Sequence, residues 1–93
     1  MSGQSTVKSL PETSTHCFFV HAPSDPGLMP AVCSVLAKRG LVPSRLYATA
    51  IGAKGEEMQI DLQVSGLEDT DAEGVAQSLR RLVYVGTVLR SVK

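Results

Sequence analysis

The chain has 93 residues, a length that predicts one domain. Its 9 Lys and Arg balance 9 Asp and Glu, and its largest basic clusters are Lys38-Arg39 and Arg80-Arg81. This excludes a protein that works by electrostatic attraction to nucleic acid. At 43% hydrophobic and 19% charged residues the composition is that of a folded globule, and no run approaches the roughly 18 apolar residues of a membrane helix.

Residues 1–14 are rich in Ser and Thr and show neither hydrophobic period nor the apolar run of a secretory signal. They read as a flexible N-terminal tail of a cytoplasmic protein, followed by a single domain over residues 15–93. His16-Cys17-Phe18-Phe19-Val20-His21 is a short run of strand formers, apolar on both faces as a central strand is, and ends at Ala22-Pro23. The turn Ser24-Asp25-Pro26-Gly27 leads into a helix whose stripe is Leu28, Val32, Val35 and Leu36. Pro30 falls in its first turn, where the missing N–H does no harm. Lys38 and Arg39 suit the negative end of the helix dipole, and Gly40 provides a left-handed cap.

After Pro43 the period becomes two: Leu46, Ala48 and Ala50 alternate with Arg45, Tyr47, Thr49 and Ile51. A hairpin loop, Gly52-Ala53-Lys54-Gly55, leads to the most regular strand, with Met58, Ile60, Leu62 and Val64 against Gln59, Asp61, Gln63 and Ser65. Ser65-Gly66 is expected to end it. Thr70 and Glu73 have the spacing of a capping box for a second helix with the stripe Val75, Leu79 and Leu82. Residues 83–92 are expected to form the last strand, through Val85, Val88 and Val92.

Two strand–helix–strand crossovers joined by a hairpin predict an α+β fold, the ferredoxin-like βαββαβ sandwich. It has a four-stranded antiparallel sheet with two helices on one face. The first and third strands are central, and the open sheet face or its edge, with Tyr47 and Ile51, is expected to pair with a second copy. A domain this small gains stability by doing so.

Few residues suggest chemistry. Cys17 and Cys33 read as buried reduced thiols. His16 and His21 point to opposite sheet faces and do not combine with the cysteines in any zinc-ligand spacing. His21, beside the turn, reads as a satisfied rim histidine. Ser24, Asp25 and His21 are too close in sequence to form a hydrolytic triad, and there is no glycine-rich phosphate loop. The expectation is a non-catalytic protein without metal or cofactor. The turn before the first helix is the exception, because Gly27 would let an anion approach the unpaired amides of Gly27, Leu28 and Met29. Its simpler reading is a plain helix cap.

Asp25-Pro26-Gly27-Leu28, with Arg39-Gly40 at the helix end, resembles the acidic-x-Pro-Gly-hydrophobic turn and first helix of the ACT domain family. These are small ligand-sensing modules of amino-acid metabolism. Within the family, Pro26-Gly27-Leu28-Met29, Val32-Cys33, Ala37-x-Arg39 and the segment 82–90 are similar to the regulatory small subunit of acetolactate synthase (acetohydroxyacid synthase). The resemblance implies an allosteric regulatory subunit in branched-chain amino-acid biosynthesis. It would be a homodimer that docks on a catalytic chain and binds a valine-like effector between subunits. The implied effector site is Ser24, Asp25, Gly27, Leu28, Met29 and Val42. Ser24 stands where the family usually has an acidic or amide residue, and Val42-Pro43 where such subunits commonly carry Asn. The alternatives are a free-standing amino-acid sensor with another target, and a dimerisation module insensitive to effectors.

Overall fold

The computed structural model describes residues 14–93. The tail expected over residues 1–13 lies outside the described residues. The elements are β1 (Ser14–Pro23), α1 (Leu28–Lys38), β2 (Arg45–Ile51), β3 (Glu57–Leu67), α2 (Asp69–Arg80) and β4 (Thr87–Val92). They form one antiparallel sheet in the order β2-β3-β1-β4, with β1 and β3 central as the sequence pattern predicts. The architecture is the α+β, ferredoxin-like βαββαβ sandwich.

The core lies between the sheet and the helices. Phe18, Val20 and Ala22 of β1 and Ile60, Leu62 and Val64 of β3 meet Leu28, Val32, Val35 and Leu36 of α1 and Ala72, Val75, Ala76 and Leu79 of α2. The α1 stripe is thus the one its spacing predicts. The helix ends in a Schellman arrangement: Gly40, at φ 68°, donates to Ala37 O, and Leu41 donates to Leu36 O.

Several boundaries differ from the sequence reading. β1 begins at Ser14, inside the stretch assigned to the tail. Thr15 pairs with Ser65 but Ser14 pairs with Leu67, so Gly66, at φ 82°, is an extra residue bulged out of β3. The strand therefore runs through Ser65-Gly66, expected to end it, to the buried Leu67. That extension moves the helix start forward. Glu68 is the N-cap, without a side-chain bond, and Thr70 falls inside the first turn, so the capping box does not form. Glu73 instead accepts from Gln77 and pairs with Arg80 and Arg90. At the other end, Leu82 and Val85 turn back on Leu79 and Leu82 through backbone bonds. The last strand starts at Thr87, leaving Val83 exposed.

Burial brings two further corrections. Cys17 is buried on the open face of the sheet, but Cys33 is exposed on α1. In β2, alternation does not become alternating burial, because six of its seven residues are exposed.

Candidate functional site

The turn that enters α1 is built by two local hydrogen bonds and a tie to a distant hairpin. Asp25 Oδ1 accepts the Gly27 amide at 2.8 Å, and the Asp25 carbonyl accepts the Leu28 amide at 3.0 Å. Ser24 ties the turn to the neighbouring hairpin, with its amide on Glu56 O at 2.9 Å and its hydroxyl on Gly55 O at 2.6 Å. Gly27 itself has φ −82°, ordinary for any residue, so its value lies in space. A Cβ there would stand 2.6 Å from the Tyr84 hydroxyl, and glycine is what allows that ring to close over the helix entrance.

Of the three amides expected to face a ligand, those of Gly27 and Leu28 are thus engaged by Asp25. Among the described residues the Met29 amide is left without an acceptor, while the Ala31 amide returns to Gly27 O. The residues at this helix entrance offer a donor in Met29, a hydroxyl in Tyr84, and the second carboxylate oxygen of Asp25 as acceptor. An amino acid presents complementary groups, a carboxylate and an ammonium. Tyr84 is the residue that sequence reasoning missed. It lies 57 positions from Gly27 in a segment read as strand, and no local pattern links the two.

Glu56 secures the hairpin beside the turn. Its carboxylate accepts the Lys54 amide at 2.9 Å, and this bond holds its pKa below the usual carboxylate value. His21 Nε2 pairs with Glu57 Oε1 at 2.8 Å on the exposed rim. His16 is buried on the core side, with Nε2 3.2 Å from Leu67 O.

The structure brings Ser24, Asp25, Gly27, Leu28 and Met29 together and places Val42 elsewhere in the chain. Ser44, two residues beyond Val42, donates to Gln63 O, whereas the turn is tied to Glu56 O. At about 3.3 Å per residue these anchor points are roughly 20 Å apart along β3. Val42 is 83% exposed.

No protein-family model matches the chain, and neither does any curated protein sequence. Solved structures do resemble it. The ACT domain of GTP pyrophosphokinase from Chlorobium tepidum aligns with TM-score 0.68 and 18% identity, covering 85% of this chain and 99% of that one. The C-terminal domain of MgtC from Mycobacterium tuberculosis aligns with TM-score 0.70 and 11% identity, covering 92% and 94%. The acetolactate synthase small subunit from Thermotoga maritima aligns with TM-score 0.70 and 24% identity, covering 82% of this chain and 46% of that subunit. This chain therefore corresponds to about half of that subunit. At these identities the likeness establishes the fold, which is of the ACT type.

Proposed function

We propose, taking the ACT-type fold as the premise, that this chain is a non-catalytic regulatory module that binds an amino acid at the entrance to α1. Its most specific role would be that of an acetolactate synthase small subunit responding to a branched-chain amino acid such as valine. The observation that carries this reading is the turn 24–29, where Gly27 admits Tyr84 beside the Met29 amide. The similarity to the Thermotoga maritima small subunit supports the choice of partner.

The site becomes more complete in a homodimer. β2 is an exposed edge strand of seven residues with no proline and Arg45 as its only charge, an edge with little protection against pairing. Antiparallel pairing of β2 with the β2 of a second copy reverses one strand against the other. The Val42 end of one copy then lies toward the turn 24–29 of its mate. This geometry reunites the two parts of the site that a single chain holds roughly 20 Å apart.

A thermal-shift screen against the twenty amino acids tests the reading, because a ligand that binds the native state raises its stability. A selective rise with valine, leucine or isoleucine is expected, and Gly27→Val should remove it by filling the space beneath Tyr84. A flat response across all twenty would sink the effector reading. The effector-insensitive dimerisation module would then be favoured, a reading to which the self-capping by Asp25 already lends weight. A response to other amino acids, with no co-purifying thiamine-diphosphate enzyme, would point to a sensor with another target.

A further inference from the structure

The groove between the two helices gathers three cations and has no acid in its lining. Lys38, Arg39 and Arg81 line a cavity of about 400 Å³ whose remaining walls are Val35, Ser78 and Leu82. Asp71 shares a separate hollow of about 170 Å³ with Arg39 and forms no ion pair with it among the described residues. Of the other arginines, Arg80 pairs with Glu73 and Arg90 with Asp69 and Glu73, while Arg45, on the edge strand β2, forms no ion pair among the described residues. The side chains of Lys38 and Arg81 have no ion-pair or hydrogen-bond partner among the described residues. A helix dipole accounts for one cation at each C-terminus. It does not account for three cations converging on one groove, where they repel one another.

Arg39 is held in place. Its Nη2 donates to Gly74 O and to Ser78 Oγ, both at 3.1 Å. A Cβ on Gly74 would stand 2.9 Å from Arg39 Nη1, so this glycine lets the guanidinium lie on the α2 backbone. The two bonds use the N–H groups of Nη2 and leave those of Nη1 and Nε free. Ser78, having accepted from Arg39, keeps its own proton to donate. A fixed guanidinium, a hydroxyl donor and two unpaired cations over an apolar floor form a receptor for a dianion that carries an apolar body.

We propose that this groove binds a small organic phosphate monoester. Its phosphate would be received by Arg39, Ser78, Lys38 and Arg81, and its organic part would rest on Val35 and Leu82. Phosphate is favoured over carboxylate because three terminal oxygens and a double charge match the number of donors and cations present. The groove's Lys38 and Arg39 stand at the opposite end of α1 from the turn 24–29, so this site is distinct from the proposed amino-acid site.

The test is a titration of the isotope-labelled chain, followed by amide NMR at constant ionic strength, with phenyl phosphate, inorganic phosphate and benzoate as probes. Saturable shifts at Arg39, Ser78 and Arg81 are expected with phenyl phosphate. Inorganic phosphate, which lacks the apolar contact, should bind about tenfold more weakly, and benzoate more weakly than phenyl phosphate. The double variant Lys38→Gln, Arg81→Gln alters two exposed side chains and should fold normally while weakening phenyl phosphate about tenfold or more. Shifts that never saturate, saturable shifts centred elsewhere, or an undiminished affinity in the double variant would each overturn the proposal. The amino-acid response of the same variant should be unchanged, so either site can fail without the other.

Discussion

The two edge strands, β2 and β4, border the same sheet and end in different surroundings. On β4, Val88 is buried beneath α2, and Arg80 reaches down to donate to its carbonyl at 3.2 Å. Arg90 ties the same strand to Asp69 and Glu73 of α2. On β2, Leu46 is 37% exposed and Tyr47 61% exposed, and no comparable tie to a helix exists among the described residues. Period two states which residues share a face; it does not state whether a helix lies over that face. The difference divides the edges, with β4 closing the core and β2 left exposed.

Four measurements would break or sharpen this contrast, beginning with the largest effect. Leu79 is the largest of the fully buried side chains of α2, and its loss should open the cover over the sheet. Leu79→Ala is expected to cost about 2–5 kcal/mol in urea unfolding, and a loss below about 1 kcal/mol would mean that α2 contributes little. Next come matched truncations on the two edges. Val88→Ala should cost about 1.5–2.5 kcal/mol from two lost methyl equivalents and a cavity. Leu46→Ala should cost less, about 1 kcal/mol in the isolated domain, since that residue is already 37% exposed and its loss leaves no closed cavity. Equal losses at the two edges would remove the distinction.

The third measurement addresses what β2 is available for. Tyr47→Lys should leave monomer stability within about 0.5 kcal/mol while shifting sedimentation velocity toward the monomer. Finding the unaltered chain monomeric at micromolar concentration would count against the dimer. The smallest effect concerns the hairpin between β2 and β3. Glu56 has its folded pKa depressed by the Lys54 amide, so the stabilisation it supplies is complete above the ordinary carboxylate range. It is lost as pH falls through that depressed value. The Lys54 amide resonance should follow this acid titration, and Glu56→Gln should flatten it. An unchanged titration in that variant would assign the event to another group.

The legible parts of the molecule were those written in local pattern. The α1 stripe, the Gly40 cap, the hairpin loop and the central β3 each depend on residues within a few positions of one another, so their spacing carried them. Residues 25–29 were legible as a helix entrance for the same reason. Two features failed because a distant pairing intervened. The Gly66 bulge appears only when β3 is laid beside β1, and it displaced the helix start that Thr70 and Glu73 seemed to mark. Cys33 counted as apolar by type, yet it lies off the buried stripe of α1.

By itself, the sequence determined the order of elements, the sheet's central strands and the helix face that enters the core, because burial period and turn chemistry are properties of neighbouring residues. Only the tertiary structure decided that Tyr84 sits over Gly27, that Arg39 lies against Gly74, and that β2 is left uncovered. Each of these joins segments far apart in the chain, where the geometry of packed layers sets what meets, and no spacing along the sequence encodes it.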